Sequence, residues 1–384
     1  MNTYFETNHK TDCNGCGACA LRCPVNAISM IEDGEGFVYP QIDNFKCVNC
    51  GLCRRVCSNY PLKNTFESKV YAAKSKDFNL RMNSTSGGMF QILAEYVIAH
   101  NGVVFGATYS ENLVVKHSYA TTKGDCKKFS VSKYVRSDLG TSYEDVECFL
   151  KDGKNVLFSG VPCQCYGLRK NLGKDYDNLI ICEILCHSNP SPKVFEMYLK
   201  NLEKLNGQKI KNYVFRSKDD SVGRKPHIVF ENGVKKADDL FNKAFFSMLI
   251  SRPSCHNCKF CDPNRKADIT IGDFWGIEHY YPEFKDENGI SLVCINSEIG
   301  VKVFNDIQQK LDYIESNLSD AFKYNHNSNI PENKNRETFF EGIESGKINS
   351  DNVIEYMQKY SKKPFVKRAI GKVKRIINTI LRKK

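Results

Sequence analysis

Alternating apolar and polar segments in the middle of the chain predict strands and helices in turn. Short apolar runs bounded by glycine or polar residues are typical of buried strands, and longer runs with apolar residues three or four apart are typical of helices. The predicted strands are KVYAAKS, VVFGATY, LVVKHSYA, NVLFSG and NLIICEILC, and the predicted helices include GGMFQILAEYVIAHNG, SYEDVECFLKDG and PKVFEMYLKNLEKLNG. This α/β order places loops at strand ends, where sites in such folds commonly lie.

The pattern is more mixed in the second half of the chain. YVFRSK and HIVFENGVKKA predict a hairpin that turns at Asn232 and Gly233, and a helix is expected over 240–251. SLVCINSEIGVKVFNDIQQ predicts a final strand and helix, and the polar residues 316–335 predict a loop or linker. We therefore expect an α+β fold class with a mixed sheet in the body.

An internal cysteine repeat precedes this region. CNGCGACALRCP and CVNCGLCRRVCS recur 34 residues apart, each with the spacing C-x-x-C-x-x-C-x-x-x-C. In this spacing three thiolates bind one iron–sulfur cubane and the fourth binds the partner cubane. The pattern predicts two 4Fe-4S clusters, the first held by Cys13, Cys16, Cys19 and Cys57 and the second by Cys47, Cys50, Cys53 and Cys23.

Zinc knuckles are the alternative to these clusters. A structural zinc site closes with four local ligands and does not need the doubled pattern, so two cubanes are the stronger hypothesis. The region resembles bacterial-type ferredoxins, which implies that its two clusters transfer one electron at a time.

Four loops of the body carry candidate chemistry. NSTSGGMF places Ser84, Thr85, Ser86, Gly87 and Gly88 before a helix, where they could hold an anion or form an ordinary helix cap. FSGVPCQCYGL and LCHSNPSP place cysteines at strand ends, and RPSCHNCKFC has three cysteines at C-x-x-C-x-x-C spacing. Because a cubane takes four thiolates, these three cysteines would need a fourth ligand from elsewhere, either Cys163 or Cys186.

Together these segments resemble the beta subunit of coenzyme F420 hydrogenase/dehydrogenase, a family of flavin and iron–sulfur proteins. The matching segments are NSTSGGMF, KYVRSDLG, VLFSGVPCQCYGL, CHSNPSP and RPSCHNCKFCDPNRKADITIGDFWG. The resemblance implies a third 4Fe-4S cluster beside an FAD, with Cys163, Cys186, Cys255 and Cys258 as ligands and Cys261 as the spare thiol. The chain departs from the family at Ser188, where glycine is usual.

The resemblance also implies flavin contacts. These are the Ser84–Gly88 loop, together with Lys133, Tyr134 and Ser137. A lysine or backbone N–H beside a flavin stabilises its anionic reduced form. Arg265 and Asp273 flank the third cluster in sequence, and either a structural ion pair or a substrate contact would explain them.

The chain has a net charge of +11, but this charge is unevenly distributed. Ten Lys or Arg and no Asp or Glu lie in residues 361–384, so the rest of the chain is nearly neutral. This distribution argues against nucleic-acid binding by the fold. The same tail has an apolar face at helical spacing, which predicts either a basic amphipathic helix on an anionic membrane surface or a docking helix. The polar start of the sequence favours a cytoplasmic protein, peripheral on the inner membrane face if the tail binds lipid.

We accordingly expect four regions. They are a two-cluster ferredoxin-like domain (1–62), a beta-subunit-like FAD and 4Fe-4S domain (69–315), a linker and helical region (316–360) and the basic tail (361–384). The predicted function is an FAD and 4Fe-4S oxidoreductase that couples a hydride-exchanging small molecule to a one-electron carrier or partner redox subunit. The alternative is a non-catalytic electron-transfer subunit that serves a separate catalytic chain.

Overall fold

The cysteine repeat folds as two similar short units joined by a hairpin. The computed structural model describes residues 3–59, 64–325 and 327–361, so the predicted tail helix lies outside the described residues. The first elements are α1 Tyr4–Thr7, α2 Ala18–Leu21, β1 Ile28–Glu32, β2 Val38–Ile42 and α3 Leu52–Arg55. Each repeat starts its helix after a glycine in the left-handed conformation, Gly17 at φ +76° and Gly51 at φ +70°. Because a side chain would strain this conformation, the same turn is built twice.

The body contains eleven strands and eleven helices among its described residues. The strands are β3 Lys69–Ser75, β4 Val103–Tyr109, β5 Val115–Ala120, β6 Val156–Gly160, β7 Leu179–Ile184, β8 Ile210–Val214, β9 His227–Phe230, β10 Lys235–Ala237, β11 Ile269–Asp273, β12 Ser291–Ile295 and β13 Leu311–Ser316. The helices are α4 Phe78–Met82, α5 Met89–Ala99, α6 Lys123–Cys126, α7 Ser142–Lys151, α8 Pro162–Leu172, α9 Pro192–Asn206, α10 Leu240–Phe246, α11 Glu298–Ile307, α12 Leu318–Lys323, α13 Arg336–Glu344 and α14 Val353–Tyr360.

Eight of the strands form one mixed sheet in the order β13-β3-β12-β11-β7-β6-β4-β5. The four strands β4, β6, β7 and β11 are parallel, and the strands on either side of them are antiparallel. A separate antiparallel sheet has the order β10-β9-β8. The expected α+β class with a mixed sheet is therefore confirmed.

Helices cover both faces of the large sheet. Leu157 packs with α5 and α11 on one face, whereas Val156 and Phe158 pack with α7 and α8 on the other. All five residues of β6 are buried for this reason. Parallel strands covered on both faces are apolar along their whole length, which explains why NVLFSG reads as a continuous buried strand. The carboxyl ends of β6, β7 and β11 consequently meet at one edge of the sheet.

Three details of the sequence-based prediction are wrong or incomplete. Helix α12 lies inside the stretch 316–335 that was expected to be a loop, because Asn317 caps it and Ala321 and Phe322 are buried. Helix α10 ends at Phe246, before the predicted end at residue 251. Strands β11 and β13 were not predicted. Within the residues that the structure covers, no helix is long and apolar enough to cross a bilayer.

The hairpin between the two cysteine units docks on the body through its turn. Lys193 donates to the Gly34 carbonyl at 2.9 Å, and Ser191 donates to the Glu35 carbonyl at 2.6 Å. The Glu35 carboxylate accepts two hydrogen bonds from the guanidinium of Arg336 in α13. Arg336 is 5% exposed and also donates to the Ser251 carbonyl at 2.8 Å. One buried ion pair thus joins the N-terminal region to the C-terminal helices.

We expect Glu35→Gln to destabilise the folded protein by about 3 kcal/mol, because it leaves the buried Arg336 charge with only the exposed carboxylate of Glu332, 3.5 Å away. The measurement is urea unfolding of the wild type and the variant. Glu32→Gln, an exposed substitution on the same hairpin, is the control and should change stability by less than about 0.5 kcal/mol. Equal stability of both variants would show that the ion pair does not hold the two regions together.

Candidate iron–sulfur and cofactor site

The first predicted set of cysteines is brought together at the contact with the body. Burial raises the pKa of Cys19 well above its ordinary value, and the nearby Cys16, Cys13 and Cys57 thiols raise it further. Burial also raises the pKa of Cys57 to about 12, again with Cys16 and Cys13 as neighbours. Buried thiols of this kind become thiolates only where cations stabilise the negative charge. The iron atoms of a cubane provide such cations.

The second predicted set lies further out. Cys23, Cys47, Cys50 and Cys53 line a common cavity of about 30 Å³. Cys50 is exposed and the other three are partly exposed, whereas Cys13, Cys16 and Cys19 are buried. Cys53 also contributes to the raised pKa of Cys19, after burial and the nearer thiols, so the two sets are neighbours. One cluster site is therefore enclosed and the other faces solvent.

The four thiols that the family resemblance selects are grouped in the body. Burial raises the pKa of Cys186 well above its ordinary value, and Cys255, Cys163 and Cys258 raise it further. Asn189 connects two of them, because its backbone N–H donates to Cys255 Sγ at 3.3 Å and its side chain donates to Cys163 Sγ at 3.7 Å. The four thiols come from the start of α8, the loop after β7, the 3-10 turn over 253–257 and the residue that follows this turn.

Cys261 lies at the edge of this group. Its thiol donates to the Cys258 carbonyl at 3.3 Å and to Asn329 Oδ1 at 3.4 Å. The groups that act on its pKa after burial are main-chain hydrogen bonding, Arg265, Asp262 and Lys259, and Cys163 and Cys186 are not among them. Cys261 is among the groups that raise the pKa of Cys258 but not among those that act on the pKa of Cys186, so it lies beside one member of the group only.

The thiol sets differ from a site for a single metal ion. Among the residues that the structure covers, no three His, Cys, Asp or Glu side chains are grouped as a single bound ion requires. A cubane differs from such a site because each thiolate binds a different iron atom. The remaining cysteines, Cys126, Cys148, Cys165, Cys182 and Cys294, are buried except for Cys148.

A cavity of about 290 Å³ lies at the carboxyl ends of β6, β7 and β11. This is near the lower end of ligand-site volumes, ~300–1,000 Å³. Seven of the eight predicted flavin contacts line it, namely Ser84, Thr85, Ser86, Gly88, Lys133, Tyr134 and Ser137. Gly87 lies behind the wall, where its N–H donates to Ser291 Oγ at 3.1 Å. Cys186 also lines the cavity, so the cavity and the third group of thiols share a wall.

The Ser84–Gly88 loop does not act as an ordinary helix cap. Helix α5 begins at Met89 without a side-chain cap, and Gly88 precedes it at φ +92°. Thr85 Oγ1 accepts from the Ser132 N–H at 2.8 Å, and Ser86 donates to the Ile290 carbonyl at 2.9 Å. These bonds fix the loop and leave the first N–H groups of α5 to other partners, as an anion site requires.

Lys133 places a positive charge on the same cavity wall. Its ammonium donates to three carbonyls, those of Lys128, Ser130 and Val131, each at 3.2 Å. Burial lowers the pKa of Lys133 to about 8. None of its described hydrogen bonds goes to a carboxylate, so a bound anion would compensate this charge.

Several cavity residues were missed by sequence reasoning. They are His117, Gln164, Arg216, Phe245, Phe246 and Trp275. The Ser137 hydroxyl hydrogen-bonds to His117 Nδ1 at 2.9 Å and accepts a hydrogen bond from Gln164 at 2.9 Å. These two bonds fix its position in the cavity wall. Burial lowers the pKa of His117 to about 4, which keeps its ring neutral. Gln164 and Trp275 lie in segments that carry the family resemblance but were given no role there. The other four residues lie outside those segments, where no spacing pattern marks them.

Arg265 and Asp273 do not pair with each other. Asp273 binds Arg216 at 2.6 Å on the cavity wall, and Arg265 lies 3.7 Å from the buried Glu183. Ser188, the departure from the family, does not have a positive φ and accepts a hydrogen bond from Ser251 at 2.8 Å. This loop therefore does not need the glycine that is usual in the family.

Comparisons with known proteins agree with the two parts of this arrangement. Residues 12–59 match the model of the 4Fe-4S dicluster domain, and residues 153–321 match that of the C terminus of the coenzyme F420 hydrogenase/dehydrogenase beta subunit. The predicted resemblance is confirmed, and the N-terminal region is a 4Fe-4S domain. The beta-subunit match begins after the Ser84–Gly88 loop and Lys133.

The curated relatives are redox proteins. The chain is 24% identical over 332 residues to the F subunit of the F(420)H(2) dehydrogenase of Methanosarcina mazei, a match that covers 79% of this chain and 84% of the relative. It is 26% identical over 326 residues to the coenzyme F420-dependent sulfite reductase of Methanocaldococcus jannaschii. That match covers 78% of this chain but 46% of the relative, so the chain spans less than half of that protein.

A solved structure is also similar to the chain. One chain in the F420-reducing [NiFe] hydrogenase complex from Methanosarcina barkeri is 17% identical and superposes with a TM-score of 0.44. The likeness covers 77% of this chain and 91% of that chain.

The lowered pKa of Lys133 predicts a specific pH dependence. Below pH 8 the buried ammonium costs folding stability, and this cost disappears as pH rises from about 8 to the ordinary value of 10.5. The unfolding free energy of Lys133→Met relative to wild type should therefore fall by up to about 3 kcal/mol between pH 7 and pH 10.5. The measurement is urea unfolding of flavin-free protein across this range. The exposed Lys128→Met is the control and should differ from wild type by a constant amount; the same constancy for Lys133→Met would refute the prediction.

Proposed function

We propose that this protein is an iron–sulfur flavoprotein oxidoreductase that passes electrons between a hydride-exchanging small molecule at an FAD and a one-electron partner. The observation that carries the proposal is that Cys186 belongs both to the wall of the cavity and to the third group of thiols. A cofactor in the cavity would thus lie against a cluster in the body. The 4Fe-4S domain packs on the same body and leads towards solvent.

Three clusters are proposed, with the ligands that the thiol groups suggest. Cys13, Cys16, Cys19 and Cys57 would hold the first, Cys47, Cys50, Cys53 and Cys23 the second, and Cys163, Cys186, Cys255 and Cys258 the third. Backbone N–H groups that point at the sulfurs support this assignment, including Gly15 to Cys13 at 3.3 Å and Phe260 to Cys258 at 3.4 Å. Such hydrogen bonds stabilise thiolates and tune cluster potentials.

The cavity residues fit an FAD. The uncapped start of α5 and the Lys133 ammonium offer positive charge to an anionic group. Tyr134 stacks on Phe245 with ring centroids 4.6 Å apart, and Phe246 and Trp275 add apolar surface to the wall. An amphipathic wall of this kind suits a flat ring system joined to a phosphate-bearing tail.

When bound, FAD supplies the exchange between a two-electron hydride on one side and single electrons on the other. The chain supplies the electrostatic setting. Lys133 favours negative charge in the cavity, and the Arg216–Asp273 ion pair fixes polar groups at its wall. The neutral side chains of His117 and Gln164 hold Ser137 in place in the same wall. Because both relatives are named for coenzyme F420, its reduced form is the first candidate for the small molecule.

Iron and flavin content tests the cofactor assignment. Anaerobically purified wild type should carry about twelve irons and one FAD per chain. Cys186→Ser should retain only about eight irons, because the third cluster loses a ligand, whereas the matched variant Cys261→Ser should keep about twelve. Loss of four irons in Cys261→Ser instead of Cys186→Ser would overturn the ligand set, and about eight irons without flavin in the wild type would overturn the proposal.

A second candidate function is electron transfer without catalysis by this chain alone. The observation that favours it is that one relative is named as a subunit of a dehydrogenase. The isolated chain should, under the leading proposal, oxidise reduced coenzyme F420 and reduce two equivalents of an artificial one-electron acceptor for each hydride consumed. Absence of turnover in protein that holds its full iron and FAD would favour this non-catalytic function and call for a separate catalytic chain.

A further inference from the structure

Two arginines are buried at the contact between the 4Fe-4S domain and the body. Arg136 is 6% exposed and Arg252 is fully buried. Across residues 3–59, 64–325 and 327–361, neither of them forms an ion pair with a carboxylate. Arg252 Nη1 has no described hydrogen-bond partner, and the Arg136 side chain has the Gly15 carbonyl and the Cys163 thiol as partners. The Arg252 guanidinium lies 4.2 Å from the centre of the Tyr39 ring, which offsets part of the cost of burying this charge. Negative charge nearby would offset more of the cost for both arginines.

Both guanidinium groups bind the loop that carries the first cysteine set. Arg252 Nε donates to the Cys13 carbonyl at 2.8 Å, and its Nη2 donates to the Val38 carbonyl at 2.9 Å. Arg136 Nη2 donates to the Gly15 carbonyl. The Cβ of any side chain at Gly15 would lie 2.9 Å from Arg252 Nη1, and Gly15 has φ +63°. Glycine therefore lets the guanidinium reach the backbone of the cluster loop.

The same two residues are anchored beside the third set. The Arg252 N–H donates to the Asn189 carbonyl at 2.9 Å, and Asn189 in turn contacts both Cys255 and Cys163. The Arg136 N–H donates to the Pro190 carbonyl at 3.2 Å, and its guanidinium lies beside the Cys163 and Cys16 thiols. Each arginine thus touches the surroundings of two different thiol sets.

Helix α8 brings these two sets close together. A Cβ on Gly167 would lie 2.9 Å from Cys16 Cβ, so Cys16 packs directly against the helix backbone. Cys163 lies one turn earlier on the same helix, about 6 Å along its axis. The first set is consequently the neighbour of the third, and the second set lies beyond the first, towards solvent.

We infer that Arg136 and Arg252 are positioning residues that lie between the first and third clusters, couple them electrostatically and raise the reduction potentials of both. This inference rests on the proposed third cluster. A cubane with four thiolates is anionic and gains one negative charge on reduction, so an adjacent guanidinium stabilises its reduced state. Both clusters beside the arginines should therefore be easier to reduce than they would be without them.

The proposed step is a one-electron transfer that needs no proton transfer. One electron leaves the reduced third cluster, which becomes oxidised, and enters the first cluster, which becomes reduced. The guanidinium groups keep their protons throughout, because arginine does not lose its proton in proteins. Since each arginine lies beside both clusters, the negative charge moves between two sites that share the same cations. No bond forms or breaks.

The test is an EPR-monitored redox titration of the complete protein with its cofactors. Arg136→Gln should lower the midpoint potentials of both the first and the third cluster, and leave that of the second unchanged. A tenfold loss in the reduction equilibrium corresponds to about 59 mV for one electron. The signal of the third cluster is assigned by its absence from Cys186→Ser. Arg136→Lys keeps the charge and should retain potentials close to those of the wild type, which a purely structural role would not predict.

Arg265→Gln is the matched control. Arg265 is a buried arginine whose charge acts on Cys186 but is not among the groups that act on Cys13, so its loss should lower only the potential of the third cluster. Arg252→Gln repeats the experiment if Arg136→Gln does not fold. Unchanged potentials in protein with about twelve irons would overturn this inference and leave the proposed function intact, whereas a wild type without the third cluster would overturn the proposed function itself.

Discussion

The arrangement of this protein depends on two buried guanidinium groups that have no described carboxylate partner. Elsewhere in the chain, buried arginines are paired in the usual way, as Arg336 is with Glu35. At the contact between the 4Fe-4S domain and the body, the backbone carbonyls of Cys13, Gly15 and Val38 accept from Arg136 and Arg252 instead. Carbonyl dipoles offset only part of the cost of burying a cation, and anionic clusters on either side would offset the rest.

Close backbone approach is the second constraint on the same contact. Gly15 leaves room for the Arg252 guanidinium, and Gly167 leaves room for Cys16 against α8. Either position would be closed by a single methyl group. The contact is reinforced at a distance by the Glu35–Arg336 ion pair on the hairpin turn. The position of the 4Fe-4S domain is thus determined at several points, which matters because electron transfer depends on a fixed separation between sites.

The strongest sequence signals concerned local chemistry. The doubled cysteine spacing predicted a 4Fe-4S domain, which the comparisons confirm, because all its ligands lie on two short segments whose geometry the spacing dictates. Strands such as Val103–Tyr109 and Lys69–Ser75 were predicted with their observed ends, because they are apolar runs between polar or glycine residues. The short α12 escaped prediction, since six residues with two buried side chains carry little periodic signal.

The cavity wall was only partly predictable for a related reason. Gly88 and Lys133 belong to recognisable motifs, but His117 and Arg216 come from distant elements that meet only because β4, β6, β7 and β11 are arranged side by side. The pairing of Asp273 with Arg216, and not with Arg265, likewise follows from the sheet and not from sequence distance. The partners of a charged residue are decided by topology.

Burial changes systematically from one thiol set to the next. The third and first sets are largely enclosed, whereas the second includes the exposed Cys50 and lies beside the exposed side chains of Phe45 and Val48. Low dielectric around the enclosed sets strengthens the effect of each nearby charge, so the two arginines act where they are least screened. At the exposed set, water and salt screen such charges. The two enclosed thiol sets therefore lie in a low-dielectric interior, and the remaining set lies at the surface.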